Sequence, residues 1–94
     1  MQKRFEITGT GTGDPIELQG DERLTFASTG SGGTDYALDV EVKLTRDGSW
    51  RSAQTLIDGT IYATVSGCRE VRYNCTSLGS ASSIELEVTS QPHV

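Results

Sequence analysis

Apolar and polar residues alternate along most of the chain, and the clearest alternation covers residues 36–44. Tyr36, Leu38, Val40, Val42 and Leu44 occupy every second position, and the positions between them are mostly charged. A period of two places one set of side chains on each face of a β-strand, whereas a helix would scatter them around its circumference. The pattern therefore predicts a strand over 36–44 with one buried face and one face in water.

Turn signals follow this strand at short intervals. Asp47-Gly48 separates it from Trp50, and a second Asp-Gly pair stands at Asp58-Gly59. Asp-Gly is typical of hairpin turns because glycine adopts positive φ without steric cost. We therefore expect a hairpin to a return strand over 50–56, and a turn before a strand over 60–65.

Shorter alternating runs predict the remaining strands, which cover residues 3–8, 16–18, 22–28, 69–76 and 84–89. The glycine-rich stretches between them are expected to be loops, with 29–34 the most flexible, and 91–94 is expected to be a frayed tail. About seven to eight short strands, frequent turns and no helical period predict an all-β fold. The expected architecture is a single antiparallel β-sandwich, jelly-roll or immunoglobulin-like, over residues 1–94, with 1–13 as a possible arm and flexible loop.

The same alternation selects a core. The inward positions are Leu38, Val40, Val42, Val71, Tyr73, Leu86 and Val88. A 94-residue chain has room for only a small core. Small all-β domains often gain stability from self-association or from docking on a larger body.

Charge and hydropathy limit the partners. The net charge is −5, with 8 Lys and Arg against 13 Asp and Glu. Nucleic-acid binding needs a clustered basic face, so no nucleic-acid partner is expected. The sequence contains no apolar run long enough to span a membrane and no apolar segment of a signal peptide, so no membrane association is expected.

The two cysteines, Cys68 and Cys75, flank the predicted strand over 69–76. At about 3.3 Å per residue they would lie roughly 23 Å apart, whereas a disulfide needs Cα atoms about 5.5 Å apart. We therefore expect two free thiols and folding in a reducing cytoplasm.

The sequence shows no catalytic or cofactor pattern. His93 stands near the end of the chain, where a tail cannot position an imidazole, and is expected to be inert. Four acidic residues lack the spacing of a calcium loop, and they are Asp35, Asp39, Glu41 and Asp47. We expect them to lie on solvated strand faces. We therefore predict no enzymatic activity, no metal and no cofactor.

Glu85 and Glu87 point the same way from one predicted strand, roughly 7 Å apart. That spacing is compatible with a pair of catalytic carboxylates. Exposed carboxylates also protect the edge of a sheet against aggregation, and this is the role expected here.

Aromatic residues raise the alternative of a carbohydrate-binding platform. Tyr36 and Tyr73 lie at inward positions, so core packing accounts for them. Trp50 and Tyr62 are left to stack on a ligand or to contact a partner.

The first predicted strand is tethered by the glycine-rich residues 9–13. It could fold back on its own sandwich or pair with a neighbouring chain. In the exchanged arrangement Phe5 and Ile7 would supply the buried contacts, and Lys3 and Arg4 would face an acidic partner.

From residue 36 onward the chain resembles small β-sandwich proteins of tailed-phage virions. The shared pattern is an alternating strand, an Asp-Gly turn followed by Trp, a Gly-led strand, a Val-Arg-x-Asn strand and a last alternating strand. Here these are 36–44, Asp47-Gly48-Ser49-Trp50, Gly59-Thr60-Ile61-Tyr62, Val71-Arg72-Tyr73-Asn74 and 84–88. Residues 1–35 match nothing in this group.

The resemblance implies a head-decoration, head-fibre or tail-associated component without enzymatic activity. Such proteins bind the major capsid protein or a neighbouring virion protein, often as trimers, so this chain is expected to be a homo-oligomer with a trimer favoured. The chain is then expected to be made in the host bacterial cytoplasm and to act in the virion, with capsid decoration or a head fibre as its role. A tail or connector assembly protein of the same fold is one alternative, and a carbohydrate-binding module is the other.

Overall fold

A computed structural model describes residues 2–18, 22–59, 61–65 and 67–91. The strands within them are β1 Gln2–Ile7, β2 Gly11–Thr12, β3 Ile16–Glu17, β4 Arg23–Ser31, β5 Ala37–Lys43, β6 Arg51–Leu56, β7 Ile61–Val65, β8 Glu70–Ser77 and β9 Ser83–Gln91. Two of the nine, β2 and β3, are two-residue segments. The described part of the chain contains no helix, so the predicted all-β class is confirmed.

The strands form two antiparallel sheets that pack face to face. The four-stranded sheet has the order β1-β9-β4-β7, and the other has the order β2-β8-β5-β6, with β3 also paired to β8. A single hydrophobic cluster fills the space between them. The predicted β-sandwich is therefore confirmed.

The last strand lies between the first and the fourth. Every residue of β4 pairs with one of β9, from Arg23 opposite Gln91 to Ser31 opposite Ser83. On its other side β9 pairs along the whole of β1. In immunoglobulin domains the last strand shares a sheet with the strand before it, whereas here it shares one with the first strand.

The alternation of the sequence is visible in the core. Of the seven predicted core residues, five are buried: Leu38, Val40, Val71, Leu86 and Val88. Val42 and Tyr73 are half-buried and pack against this cluster. Leu44 does not continue the buried face, because β5 ends at Lys43 and the Leu44 side chain is 57% exposed.

The glycine-rich segment 29–34 was expected to be a loop, and this is wrong for residues 29–31, which belong to β4, whereas residues 32–34 lie between β4 and β5. β4 runs on to Ser31, whose carbonyl oxygen accepts hydrogen bonds from Ser82 N (2.8 Å) and Ser82 Oγ (3.0 Å). A Cβ on Gly33 would collide with Ser80. Glycine here allows two chain segments to approach each other, and the segment is anchored.

The hairpin between β5 and β6 is present, but Gly48 does not supply positive φ to it. Gly48 N donates to Thr45 O (3.1 Å), and a Cβ on Gly48 would lie 2.7 Å from Thr45 Oγ1. The glycine closes a four-residue turn where space is short. The second turn behaves as predicted, because Gly59 has φ of 74°.

The remaining boundaries differ in detail. Gly11 and Thr12, expected within a loop, form β2 and pair with β8. Gln91, expected in a frayed tail, ends β9. Residues 92–94, including His93, lie outside the described residues.

A polar network closes the end of the sandwich where β4 leads into β5. The Tyr36 hydroxyl donates to Asp58 Oδ1 (3.2 Å), and the Gly30 N–H donates to the same oxygen (2.5 Å). Because the single phenol proton goes to Asp58, the buried Ser28 hydroxyl donates to Tyr36 Oη (2.7 Å). The β6–β7 turn is thereby tied to β4 and to the start of β5.

Both cysteines are free thiols, as predicted. Cys75 is buried and Cys68 is half-buried. Burial raises the pKa of the Cys75 thiol and of the Cys68 thiol, which keeps both in the protonated, poorly nucleophilic form at neutral pH.

Leu86→Ala should destabilise the fold by about 2–5 kcal/mol, because it leaves a cavity between the two sheets. Leu44→Ala removes the same atoms from an exposed position and should change stability by less than about 0.5 kcal/mol. Urea unfolding followed by circular dichroism measures both values. Equal losses from the two variants would contradict the assignment of the core.

Tyr36→Phe should cost about 1–3 kcal/mol, because it leaves the buried Ser28 hydroxyl and the Asp58 carboxylate without their shared partner. Ser28→Ala should then cost less in the Tyr36→Phe background than in the parent chain. Tyr73→Phe is the matched control, since the Tyr73 hydroxyl forms no hydrogen bond with the described residues. Additive losses in the double-mutant cycle would show that the network does not couple the two side chains.

Candidate partner-binding surfaces

The first candidate surface surrounds Trp50, which precedes β6 and is half-buried. The Arg72 guanidinium carbon lies 4.2 Å from the centroid of the Trp50 ring. Lys43 Nζ lies 5.9 Å from the same centroid. Trp50 is therefore held against the outer face of the β5–β8 pair by two cations, a contact worth about 0.5–1 kcal/mol where water has access.

Strand register explains why these cations meet the indole. It places Arg72 of β8 opposite Glu41 of β5, and Lys43 opposite Glu70. Arg72 Nε donates to Glu41 Oε1 (2.8 Å), and the more distant Lys43–Glu70 pair spans 3.8 Å. Glu41 fixes the guanidinium plane, and the plane in turn supports Trp50.

The proposed aromatic platform is not assembled as a group within the described residues. Tyr36 is 8% exposed and belongs to the core. The Tyr73 ring packs edge-on against Phe5, with centroids 5.3 Å apart. The Tyr62 side chain lies outside the described residues. Trp50 is the platform member that the structure places at a surface.

The second candidate surface includes β1, which is the edge strand of the four-stranded sheet and pairs with β9 of its own chain. This is the folded-back arrangement that the sequence left open. Ile7 is 3% exposed and Phe5 packs against the core, so both already have partners within the chain. Lys3 and Arg4 are exposed, as a contact with an acidic partner would require.

Three glutamates lie around Arg4 on the outer face of β1 and β9. Glu6 stands directly opposite Glu85, and Glu87 stands opposite Arg4. Like charges in facing positions repel each other. Arg4 Nη2 lies 3.0 Å from Glu85 Oε2, and this hydrogen-bonded pair lowers the pKa of the Glu85 carboxyl and raises the pKa of Arg4.

Glu85 and Glu87 do not protect a sheet edge, so that expected role is wrong. β9, which carries both, has a strand on each side. Beside them lies an open cleft of about 500 Å³, whose lining includes Phe5, Glu6, Gly30 and Glu85. The Glu85 and Glu87 carboxylates therefore lie on the face of an inner strand and not at the edge of the sheet.

Two other acidic residues singled out in the sequence, Asp39 and Asp35, hydrogen-bond to nearby hydroxyl groups or backbone. Asp39 Oδ1 accepts from Thr55 Oγ1 (2.9 Å). Asp35 Oδ1 accepts from Ser80 Oγ (2.6 Å) and Ser80 N (2.7 Å), which lowers the pKa of Asp35. In the described ranges no three His, Cys, Asp or Glu side chains are grouped as a metal site would require.

Among these same residues, no helix has the length and apolarity to cross a bilayer.

Sequence reasoning identified Trp50 but missed Arg72 as its partner. The available signal was the outward position of Arg72 between the inward residues Val71 and Tyr73. Which strand lies beside β8 is not encoded in that alternation, so the contact with Trp50 depends on the β5–β8 pairing.

These sheets define a two-layer antiparallel β-sandwich. A solved structure with a similar fold is the crystal structure of SPBc2 prophage-derived protein YomS, with a TM-score of 0.63 over 97% of this chain and 96% of that chain. The sequence identity is 11%, so the likeness shows a shared fold. No protein-family model and no curated protein matches the chain.

Arg4→Gln should raise the pKa of Glu85 towards its ordinary value of about 4.3, because the carboxylate loses the cation that favours its charged form. The folded-state pKa of Glu85 is depressed. The contribution of the pair to stability is therefore present above the unfolded-state pKa and is lost as the pH falls through the folded-state pKa.

Carboxyl-carbon NMR titration measures this shift. Lys3→Gln is the control. Lys3 is next to Arg4 in the sequence and carries the same charge, but its side chain makes no ion pair with the described residues. An equal shift of the Glu85 pKa in both variants would contradict a specific Arg4–Glu85 pair.

Proposed function

We propose that this chain is a non-enzymatic structural protein of a tailed-phage virion, with capsid decoration or a head fibre as its role. The observation that carries the proposal is the fold shared with a prophage-derived protein over nearly the whole length of both chains. The sequence pattern from residue 36 onward, which resembles virion β-sandwich proteins, supports the same class.

The surface around Trp50 supports a binding role. Tryptophan and arginine are the residue types that most often dominate the energy of protein interfaces. Here Trp50 and Arg72 are stacked on a rigid pair of strands, so little side-chain freedom is lost when a partner covers them. We expect this surface to contact the major capsid protein or a neighbouring virion protein.

Two other functions are compatible with the same fold. A tail or connector assembly protein would use the same surfaces at another place in the particle. A carbohydrate-binding module would use the part of the Trp50 ring that Arg72 leaves exposed.

The test uses particles of a phage that carries this chain, purified by density-gradient centrifugation. We expect the chain to co-purify with the particles and immunogold label to mark their heads. Label on tails would instead support the assembly-protein alternative. A chain found in the lysate but not with purified particles would contradict a virion role.

Trp50→Ala should reduce the amount of chain on particles by about tenfold or more, because truncation of a central interface residue costs about 2 kcal/mol or more. Ile57→Ala is the matched control, since Ile57 is an exposed apolar residue (63%) on the turn after β6, at the opposite end of that strand from Trp50. Mass spectrometry of the particles gives both amounts. Binding to a glycan array that disappears with Trp50→Ala, together with unchanged particle binding, would favour the carbohydrate-binding alternative.

A further inference from the structure

The β5–β6 hairpin carries an exposed group of apolar and basic side chains. Leu44 is 57% exposed, and Arg46 and Arg51 are exposed on either side of the turn. We call Leu44, Arg46 and Arg51 the hairpin surface. Trp50 packs on Arg72 and Lys43 and is not part of it. Neither arginine forms an ion pair within the described ranges, although Lys43 and Arg72 beside them do. Asp47 is the one carboxylate on the turn itself.

A cluster of the opposite charge lies on the outer face of β1 and β9. Glu6, Glu85 and Glu87 surround Arg4, and the cleft of about 500 Å³ lies beside them. We call these four residues the glutamate surface. Arg4 pairs with Glu85, whereas Glu6 and Glu87 are exposed and form no ion pair with any described side chain. A further cation placed here would relieve the repulsion between the facing carboxylates of Glu6 and Glu85.

The two surfaces lie at opposite ends of the sandwich. β5 begins at Ala37, close to where β4 ends at Ser31, and it then runs the length of the sheet to the hairpin. The cleft reaches Ser31 and Ser83, at the end where β5 begins. The hairpin surface of one copy can therefore meet the glutamate surface of another, but one copy cannot bring its own two surfaces together.

We propose that copies of this chain associate head to tail, with the hairpin surface of one copy docked on the glutamate surface of the next. Arg46 and Arg51 pair with Glu6 and Glu87, and Leu44 supplies the apolar contact. Because the two surfaces differ, an open chain of copies keeps one free surface of each kind at its ends, and a ring forms when these two ends meet. The contact therefore builds rings or open chains of copies, and not two-fold dimers.

Sedimentation velocity of the purified chain tests this contact. At low ionic strength we expect concentration-dependent association beyond the dimer. Raising NaCl from about 0.01 M to about 1 M shortens the Debye length from about 30 Å to about 3 Å and should weaken association strongly. A chain that stays monomeric at low salt, or that stops at a dimer, overturns the proposal.

Two neutralised variants give a sharper test. Arg46→Gln with Arg51→Gln removes the basic side of the contact, and Glu6→Gln with Glu87→Gln removes the acidic side. Each variant alone should self-associate at least about tenfold more weakly, the change that corresponds to about 1.4 kcal/mol. Mixed together they should form a one-to-one dimer that grows no further, since one intact surface of each kind remains.

Arg23→Gln is the matched control, because Arg23 is an exposed arginine of β4 outside both surfaces, and it should associate like the parent chain. Unchanged association of either neutralised variant, or no dimer in the mixture, overturns the head-to-tail contact. The head-to-tail contact is also overturned if the parent chain is monomeric while the Arg46→Gln, Arg51→Gln variant loses particle binding. That result would assign the hairpin surface to a contact with another virion protein. Sedimentation and mixing use the purified chain alone, so a negative result in them leaves the proposed virion role standing.

Discussion

The insertion of β9 between β1 and β4 is the constraint on which the rest of the sandwich depends. Its inward residues Ile84, Leu86 and Val88 are at most 1% exposed, so β9 supplies one wall of the core while it joins its two neighbours. Without β9, the edge strand β1 would have no partner, and the outward glutamates would have no common face. The residues paired by β1 and β9 lie near opposite ends of the sequence, so the four-stranded sheet closes only after a large loss of chain entropy.

The same dependence on distant strands shapes both candidate surfaces. Trp50 follows the β5–β6 turn, yet its support comes from Arg72 on β8, which is fixed in turn by Glu41 on β5. On the other sheet, Glu6 and Glu85 face each other because β1 and β9 pair in register. Regular strands hold these side chains in place, so the proposed binding does not require loops to become ordered.

The sequence predicts the parts of this structure that local physics controls. Alternation located β5, β8 and β9 and most of their buried residues, because a half-buried strand imposes a period of two. It did not predict that Leu44 leaves the core, since the end of a strand is set by where its neighbours stop pairing. The strand over residues 29–31 was missed because glycine occurs both in loops and where chain segments approach closely, and the close neighbours of Gly30 and Gly33 are set by the tertiary fold. The Trp50–Arg72 contact required the strand order, which no local pattern contains.

The register of β1 against β9 also determines how the chain can be circularly permuted. Gln2 lies opposite Thr89, so the first and last strands begin and end side by side at the end of the sandwich that carries the β5–β6 hairpin. A short linker from the end of β9 to the start of β1 would convert their long-range pairing into a local hairpin. New termini at the turn of residues 45–48 would leave the strand pairings within both sheets unchanged. In such a circular permutant the step that now brings the two ends of the chain together would become the easiest one to complete.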